Sequence, residues 1–189
     1  TRLMSPLVRA APAAMAFARD VLQPELHPTA TRFNAVVSAH RVFDTRRFLH
    51  EEFESIRGLV ADASVNDAVL AVCAGGLRRY LAAHAELPQA DLAAIVPLAI
   101  GAEHAAGAAG GAVSRRIEFG TNIADAVERL AWIHGQTAAA EPAPTERGRP
   151  PPSCTITHVP GPPGPVFLHG ARMTYFSAIL PIADGMGLV

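Results

Sequence analysis

The chain has no lysine, few aromatic residues and only two cysteines among its 189 residues. Its 16 basic residues are therefore all arginines, and its 17 acidic residues bring the formal net charge to −1. A charge balance so close to zero gives no electrostatic basis for binding nucleic acid. Two cysteines do not make the disulfide framework of a small secreted domain. Cys73, inside an apolar helical pattern, is expected to be a buried small hydrophobic residue.

The sequence also lacks an apolar run long enough to cross a bilayer. The longest uninterrupted run, residues 92–100, is far shorter than the roughly 20 residues that a spanning helix needs. The apolar stretch at 3–22 is interrupted by Arg9, Arg19 and Asp20 and has no features of a secretory signal. We therefore expect a cytoplasmic protein, with peripheral contact to a membrane or lipid droplet left open.

Hydrophobic periodicity predicts an α/β (α+β) fold, in which helices flank a mixed sheet. Helices are predicted at residues 3–22, 47–61, 64–83 and 123–140. Strands are predicted at residues 33–43, 92–100, 112–119, 154–159, 166–168 and 172–179. The predicted domain organisation is an N-terminal helix and linker at 1–28 and one domain at 29–189, with a proline-rich link at 142–152.

The last predicted helix, residues 123–140, places five residues on one side. That side comprises Ala126, Val127, Leu130, Ile133 and His134. The eight histidines of the chain are isolated in sequence, and none belongs to a recognisable acid–base constellation. Each is therefore expected to be a surface residue or a hydrogen-bonded core residue. They are His27, His40, His50, His84, His104, His134, His158 and His169.

Asn66 and Asp67 are two polar residues at the start of the helix predicted at 64–83. Ser64 at the N-cap position and Asp67 three residues later approximate a capping box, which explains both by helix chemistry alone. A carboxylate also suits the positive end of the helix dipole. The functional alternative is that Asn66 and Asp67 position a substrate or a catalytic loop. Their spacing is compatible with both interpretations.

Further sequence marks occur in a defined order along residues 29–140 and 153–189. The first are Thr31, Phe33, Asn34, Ser38 and Arg41, followed by Val65-Asn66-Asp67, Val69-Leu70-Ala71, Cys73, Gly75, Leu77-Arg78 and Tyr80-Leu81. The later ones are Val96-Pro97-Leu98, Val113-Ser114, Asp125–Leu130, Ile133-His134, Val159–Pro162, Leu168, Gly170–Arg172 and Pro181–Leu188. In this order they resemble the bacterial wax ester synthase/acyl-CoA:diacylglycerol acyltransferase family.

The resemblance implies a fold like that of the two-domain, CoA-dependent acyltransferases of the chloramphenicol acetyltransferase type, of which this chain is similar to the second domain. The family transfers a fatty acyl group from acyl-CoA to diacylglycerol or a long-chain alcohol. Acyl-CoA is a substrate, so no cofactor or metal is expected. The family's base is the second histidine of a His-His-x-x-x-Asp-Gly motif in the first domain, where it deprotonates the acceptor hydroxyl.

That motif does not occur in these 189 residues. Asp184-Gly185 is present, but Ile179 and Leu180 stand where the two histidines would be. We therefore expect no catalytic residue in this chain and a supporting role at the substrate site for Asn66 and Asp67. One hypothesis is a C-terminal part of the acyltransferase that needs an N-terminal catalytic half in cis or in trans. The alternative is a non-catalytic remnant that binds a lipid or a partner protein.

Overall fold

Three helices and a three-stranded sheet form the packed part of the chain. The computed structural model describes residues 31–97, 114–139, 151–157, 164–175, 177, 179 and 181–189. The helices are α1 (His50–Arg57), α2 (Val65–Ala83) and α3 (Ala126–Thr137). The strands are β1 (Ala93–Pro97), β2 (Ser114–Glu118), β3 (Cys154–Thr155), β4 (Phe167–Leu168) and β5 (Ala171–Arg172). The helix predicted at 3–22 and most of the proline-rich link lie outside the described residues.

The main sheet is mixed, as the sequence predicted. Its strand order is β2-β1-β3, with β2 antiparallel and β3 parallel to the central β1. Residues 93–96 of β1 are all buried, which shows that both faces of the central strand are covered. A continuous apolar run is the pattern expected of such a strand. The predicted strands at 92–100, 112–119 and 154–159 are confirmed with shorter bounds, within the residues that are described.

Helix α2 contributes the longest side of the hydrophobic core. Leu70, Ala74, Leu77 and Leu81 recur at helical spacing along one face, and all four are buried. They pack with Leu92, Val96, Ile117, Phe119, Leu130, Ile133 and Cys154. The prediction of a capped amphipathic helix at 64–83 is confirmed, and the helix predicted at 47–61 is present as the shorter α1.

Helix α3 packs against both α2 and β2, with a buried face that differs from the predicted one. Leu130 and Ile133 are buried as expected, whereas Ala126 and Val127 are exposed in the first turn. Arg129 takes part in the buried face instead, at 6% exposure. An apolar pattern does not identify a position where a long side chain buries its aliphatic part, so it did not indicate Arg129 on the buried face.

The strand predicted at 33–43 is not formed. Arg32–Asn34 make one 3-10 turn, and no described strand pairs with the extended backbone that follows. The backbone carbonyls of Phe33 and Ala35 instead accept hydrogen bonds from backbone N–H groups of the loop at 183–187. The composition of 33–43 predicts a mostly buried strand, but residues 38–52 are all exposed, so that expectation is wrong as well. β-Branched and aromatic residues favour a strand only where a neighbouring strand and a core are available.

Strands β4 and β5 form a separate two-stranded hairpin. Phe167 pairs with Arg172 and Leu168 with Ala171, across a two-residue turn of His169 and Gly170. Both turn residues have positive φ, 47° and 79°, which is the requirement of a type I′ turn. Within the described residues, the strands predicted at 166–168 and 172–179 are thus present as this short hairpin. No helix in the described segments is long and apolar enough to cross a membrane.

Candidate functional site

Asp67 lies at the first turn of α2 and is 1% exposed. Its backbone N–H donates to Ser64 Oγ at 3.1 Å, and its Oδ2 accepts from the Ser64 backbone N–H at 2.8 Å. The two residues therefore make a reciprocal capping box, which satisfies two of the backbone donors left free at a helix start. The capping interpretation of Ser64 and Asp67 is confirmed.

The same carboxylate also joins α2 to α3. Oδ1 accepts a hydrogen bond from Thr137 Oγ1 at 2.6 Å, and Oδ2 lies 3.0 Å from His134 Nδ1. Because an ionised carboxylate only accepts, the geometry assigns the proton of this contact to Nδ1. His134 and Thr137 are three residues apart and so lie on the same face of α3. Asp67 is therefore more than a helix cap, since it fixes the position of one helix on the other.

The environment of Asp67 favours its charged form. Burial opposes ionisation, but the hydrogen bonds from Thr137, Ser64 and His134 together outweigh it and lower the pKa of Asp67 below its usual value of 3.8. At neutral pH the site therefore contains a buried, charged carboxylate that is stabilised by hydrogen-bond donors at the start of α2 and on α3. Such a group is suited to holding neighbouring groups in place and poorly suited to accepting a proton.

Asn66 differs from Asp67 in both burial and hydrogen bonding. It is only half-buried, and its side chain makes no hydrogen bond to another residue of the described chain. The structure therefore leaves the Asn66 amide available to a ligand or to another part of the protein. The assignment of Asn66 and Asp67 as substrate-site residues remains a prediction, with a separate structural role now shown for Asp67.

Sequence reasoning missed His134 and Thr137. Their partner, Asp67, lies 67 residues before His134 and 70 before Thr137 in the chain. The helical periodicity indicated only that His134 lies on the inner side of α3, without identifying its partner. The sequence does show that both amphipathic helices carry a polar residue close to the apolar face, and this is the signal that could have indicated a contact between them.

A second polar cluster fixes the loop between β2 and α3. The Asp91 carboxylate accepts from the backbone N–H groups of Gly120 and Thr121 at 2.6 and 2.7 Å, and from Thr121 Oγ1 at 2.9 Å. Arg129 Nη1 donates to the backbone carbonyl of Ile123 at 2.7 Å. The Arg78 guanidinium donates to the backbone carbonyl of Thr121. These bonds satisfy the buried backbone of the loop and so are structural.

Asn34 ties together three segments that are far apart in the chain. Its Nδ2 donates to the carbonyls of Gly185 at 3.0 Å and Pro152 at 3.3 Å, and its Oδ1 accepts from Ser153 Oγ at 3.3 Å. Beside it, Asp184 Oδ1 accepts from the backbone N–H of Val37 at 2.8 Å. The Asp184-Gly185 pair thus holds the chain near Asn34, which is a structural role.

Other chemistry is sparse in the part of the chain that is described. No group of three His, Cys, Asp or Glu side chains there is arranged to hold a metal ion. Both cysteines are free thiols, and burial raises the pKa of the Cys154 thiol to about 12. Cys73 is half-buried instead of fully buried, and burial raises its pKa as well. Neither thiol is therefore a thiolate nucleophile at neutral pH.

Comparison with known proteins defines the class of fold and then the family. The wax ester synthase/diacylglycerol acyltransferase from Marinobacter aquaeolei VT8 superposes with a TM-score of 0.65 at 21% identity, over 98% of this chain and 47% of that one. The fold is thus that of the C-terminal-like half of a two-domain acyltransferase. Residues 119–189 match the family model of the WS/DGAT C-terminal domain.

Mycobacterial relatives agree with this assignment. A Mycobacterium tuberculosis protein that carries the name of a diacylglycerol O-acyltransferase is 29% identical over 185 residues, 82% of this chain and 37% of the relative. A Mycobacterium bovis protein of the same name is 30% identical over 160 residues, 68% of this chain and 32% of the relative. The chain belongs to the wax ester synthase/diacylglycerol acyltransferase family. It spans about a third of the length of these two relatives.

Proposed function

We propose that this chain supplies a C-terminal part of a lipid O-acyltransferase. The enzyme would move a fatty acyl group from acyl-CoA to the hydroxyl of diacylglycerol or a long-chain alcohol, forming triacylglycerol or a wax ester. The observation that carries the proposal is the match of residues 119–189 to the WS/DGAT C-terminal domain. The names of the full-length relatives and of the structural neighbour point to the same chemistry.

The reaction requires a base. The His-His-x-x-x-Asp-Gly motif that would supply it does not occur in these 189 residues. An N-terminal half, in cis or in trans, would supply the histidine that takes the acceptor's proton. The acceptor oxygen then attacks the thioester carbon, the C–S bond breaks, and the CoA thiolate leaves and takes up a proton. Acyl-CoA would serve as substrate, with no resident cofactor. A cytoplasmic enzyme with peripheral contact to membranes or lipid droplets would reach its apolar substrates there.

The contribution of this chain would be to brace one wall of the substrate site. The Asp67 carboxylate accepts from the backbone of Ser64, the N-cap of α2, and from His134 and Thr137 on α3, so it fixes the start of α2 relative to α3. That places the adjacent Asn66 amide at a defined position without using its hydrogen-bonding groups. We propose that Asn66 contacts the substrate or the catalytic loop and that Asp67 positions it.

Co-expression with a histidine-bearing N-terminal half of a family member tests this division of labour. Labelled acyl-CoA is supplied with diacylglycerol or hexadecanol, and ester formation is measured for the pair and for each half alone. We expect turnover only from the pair. Robust turnover by this chain alone would contradict the proposal.

Two substitutions distinguish a residue that contacts the substrate from one that also stabilises the fold. Asn66→Ala should leave the melting temperature nearly unchanged while lowering turnover of the pair, since the Asn66 side chain has no partner in the described chain. Asp67→Ala should lower both. Full turnover in Asn66→Ala would remove that residue from the site.

The alternative function is a non-catalytic remnant that binds a lipid or a partner protein. The same co-expression experiment distinguishes the two functions. A stable pair without ester formation, using an N-terminal half that is active with its own C-terminal half, would support the remnant.

A further inference from the structure

His134 is held on one side by a buried carboxylate and is open on the other. Its Nδ1 lies 3.0 Å from Asp67 Oδ2, and the side chains of His134 and Asp67 are 21% and 2% exposed. The carboxylate is therefore inside the fold, and the imidazole lies between it and the solvent. His50 also pairs with a carboxylate, that of Glu54, but through Nε2 and with its own side chain 71% exposed. Among the histidines that the structure describes, only His134 is held through Nδ1 by a buried carboxylate.

The contact with Asp67 leaves one nitrogen of His134 free. Nδ1 carries the proton of that contact, so the neutral imidazole has its lone pair on Nε2. Within the described residues, Nε2 makes no hydrogen bond. It is not enclosed either, because Arg129 Nε is the one buried side-chain nitrogen or oxygen without a partner in that part of the chain. The protein therefore presents an oriented hydrogen-bond acceptor to the solvent.

A purely structural contact between α2 and α3 does not require this acceptor. The bond to Asp67 needs a single N–H donor, which an asparagine side chain would also supply. Thr137 already provides a second donor from the same face of α3. A carboxylate that fixes the tautomer and the direction of an imidazole is the arrangement by which proteins aim Nε2 at a ligand or a reacting group. The feature that histidine adds at this position is the lone pair of Nε2.

The chemistry of Nε2 selects among the groups that the proposed substrates offer. A lone pair binds O–H and N–H donors and repels the phosphate oxygens of coenzyme A. The diacylglycerol or alcohol acceptor offers one hydroxyl, whose proton is taken by the base of the N-terminal half. The pantetheine arm of coenzyme A offers amide N–H groups and a hydroxyl, none of which loses its proton in the reaction. The arm is therefore the part of the substrates that suits a fixed acceptor.

We propose that His134 binds the pantetheine arm of acyl-CoA, with Nε2 accepting a hydrogen bond from an amide or hydroxyl of that arm. This inference rests on the proposed function. Asp67 orients the imidazole, just as it fixes the position of Asn66, the residue that precedes it in α2. His134 is thus a binding residue, and proton transfer is left to the N-terminal half.

The two nitrogens of His134 can be tested separately. His134→Asn places an amide N–H near the position of Nδ1 and no atom at Nε2, so the melting temperature should stay close to that of the wild type. In the pair with an N-terminal half, the KM for acyl-CoA should rise about fivefold, as expected for one lost hydrogen bond, while the KM for the acceptor stays unchanged. His134→Gln places an amide near Nε2 and loses the bond to Asp67. It should lower the melting temperature and raise the KM for acyl-CoA less.

The matched control is His84→Asn. His84 follows the C-terminal end of α2, and its Nδ1 also makes a bond within the chain, to the carbonyl of Tyr80 at 2.8 Å. This variant should leave both KM values unchanged. An unchanged KM for acyl-CoA in His134→Asn would overturn the proposal, and so would an increase confined to the KM for the acceptor. A larger increase in His134→Gln than in His134→Asn would also overturn it, because the effect would then follow the loss of stability.

Binding of desulfo-coenzyme A, measured by isothermal titration calorimetry, separates this proposal from the proposed function. Weaker binding by the His134→Asn pair, with no ester formation by the wild-type pair, supports the binding residue and counts against the enzyme. Ester formation with equal binding by the wild-type and His134→Asn pairs supports the enzyme and overturns the binding residue. A wild-type chain that binds no desulfo-coenzyme A, either alone or paired, also overturns it.

Discussion

Two regions of this chain carry large apolar side chains in opposite environments. In the packed region, formed by α2, α3 and the main sheet, Leu81 and Phe119 are fully buried. In the exposed region, which comprises residues 38–52 and the β4–β5 hairpin, Leu168 and Phe43 are 74% and 58% exposed. The difference lies in the neighbours that each region finds. The helices and β1 cover one another, whereas the exposed region has no described element packed over it. Apolar side chains are therefore buried only where the described fold places another element against them.

The largest expected effect comes from removing a core aromatic ring. Phe119→Ala should lower the free energy of unfolding by about 3–5 kcal/mol, because it removes a fully buried ring and leaves a cavity. The matched variant in the exposed region, Phe43→Ala, should change stability by no more than about 0.5 kcal/mol. Denaturant titration followed by circular dichroism measures both.

If Phe119→Ala does not fold, the smaller change Phe119→Leu provides the same comparison. Equal losses for the core and surface phenylalanines would contradict the contrast between the two regions. They would show instead that the surface segment packs within the isolated chain.

The next largest effect is expected at the carboxylate that joins α2 to α3. Asp67→Asn should lower the free energy of unfolding by about 1–3 kcal/mol, since an amide nitrogen cannot accept the bonds that one carboxylate oxygen accepts. Thr137→Val removes a single donor and should have a smaller effect, about 1 kcal/mol. Thermal unfolding at neutral pH ranks the two variants. A larger loss in Thr137→Val than in Asp67→Asn would argue against Asp67 as the centre of this contact.

The same carboxylate predicts a dependence of stability on pH. The pKa of Asp67 is lowered on folding, so its contribution is fully present above its usual value of 3.8 and is lost as the pH falls toward its folded value. The stability difference between the wild-type chain and Asp67→Asn should therefore be constant at neutral pH. It should shrink below about pH 4. A difference that grows on acidification would contradict the lowered pKa.

The smallest effect is expected at two adjacent glycines of α2. A Cβ added at Gly76 would meet nothing within 4 Å, so Gly76→Ala should stabilise the helix by up to about 1 kcal/mol. A Cβ at Gly75 would lie 3.2 Å from Arg129 Nη2, so in Gly75→Ala the guanidinium must shift and the gain should be reduced or lost. The melting temperatures of the two variants provide the comparison. Equal stabilisation would show that Arg129 adapts freely.

The sequence predicted the packed region better than the exposed region, for a physical reason. Helix α2 combines a cap at Ser64 with apolar residues at helical spacing, and β1 is a continuous apolar run, so local information is sufficient for both. The segment at 33–43 has the composition of a strand, yet strand formation depends on a partner that the sequence does not specify. At the site, the cap made by Asp67 was predictable, but its bonds to His134 and Thr137 depend on how two distant helices pack.

Residues 38–52, exposed throughout and without a sheet partner in the described chain, have a practical consequence for handling the protein. Local opening of such a segment requires little free energy, because few buried contacts are lost. Arg41, Arg46 and Arg47 lie within it. Limited trypsin digestion of the native chain should therefore cut here before it cuts α2 or α3, separating the first part of the chain from a core that stays folded. A bound partner that covers this segment should slow that first cut, which makes the rate of nicking a simple measure of occupancy.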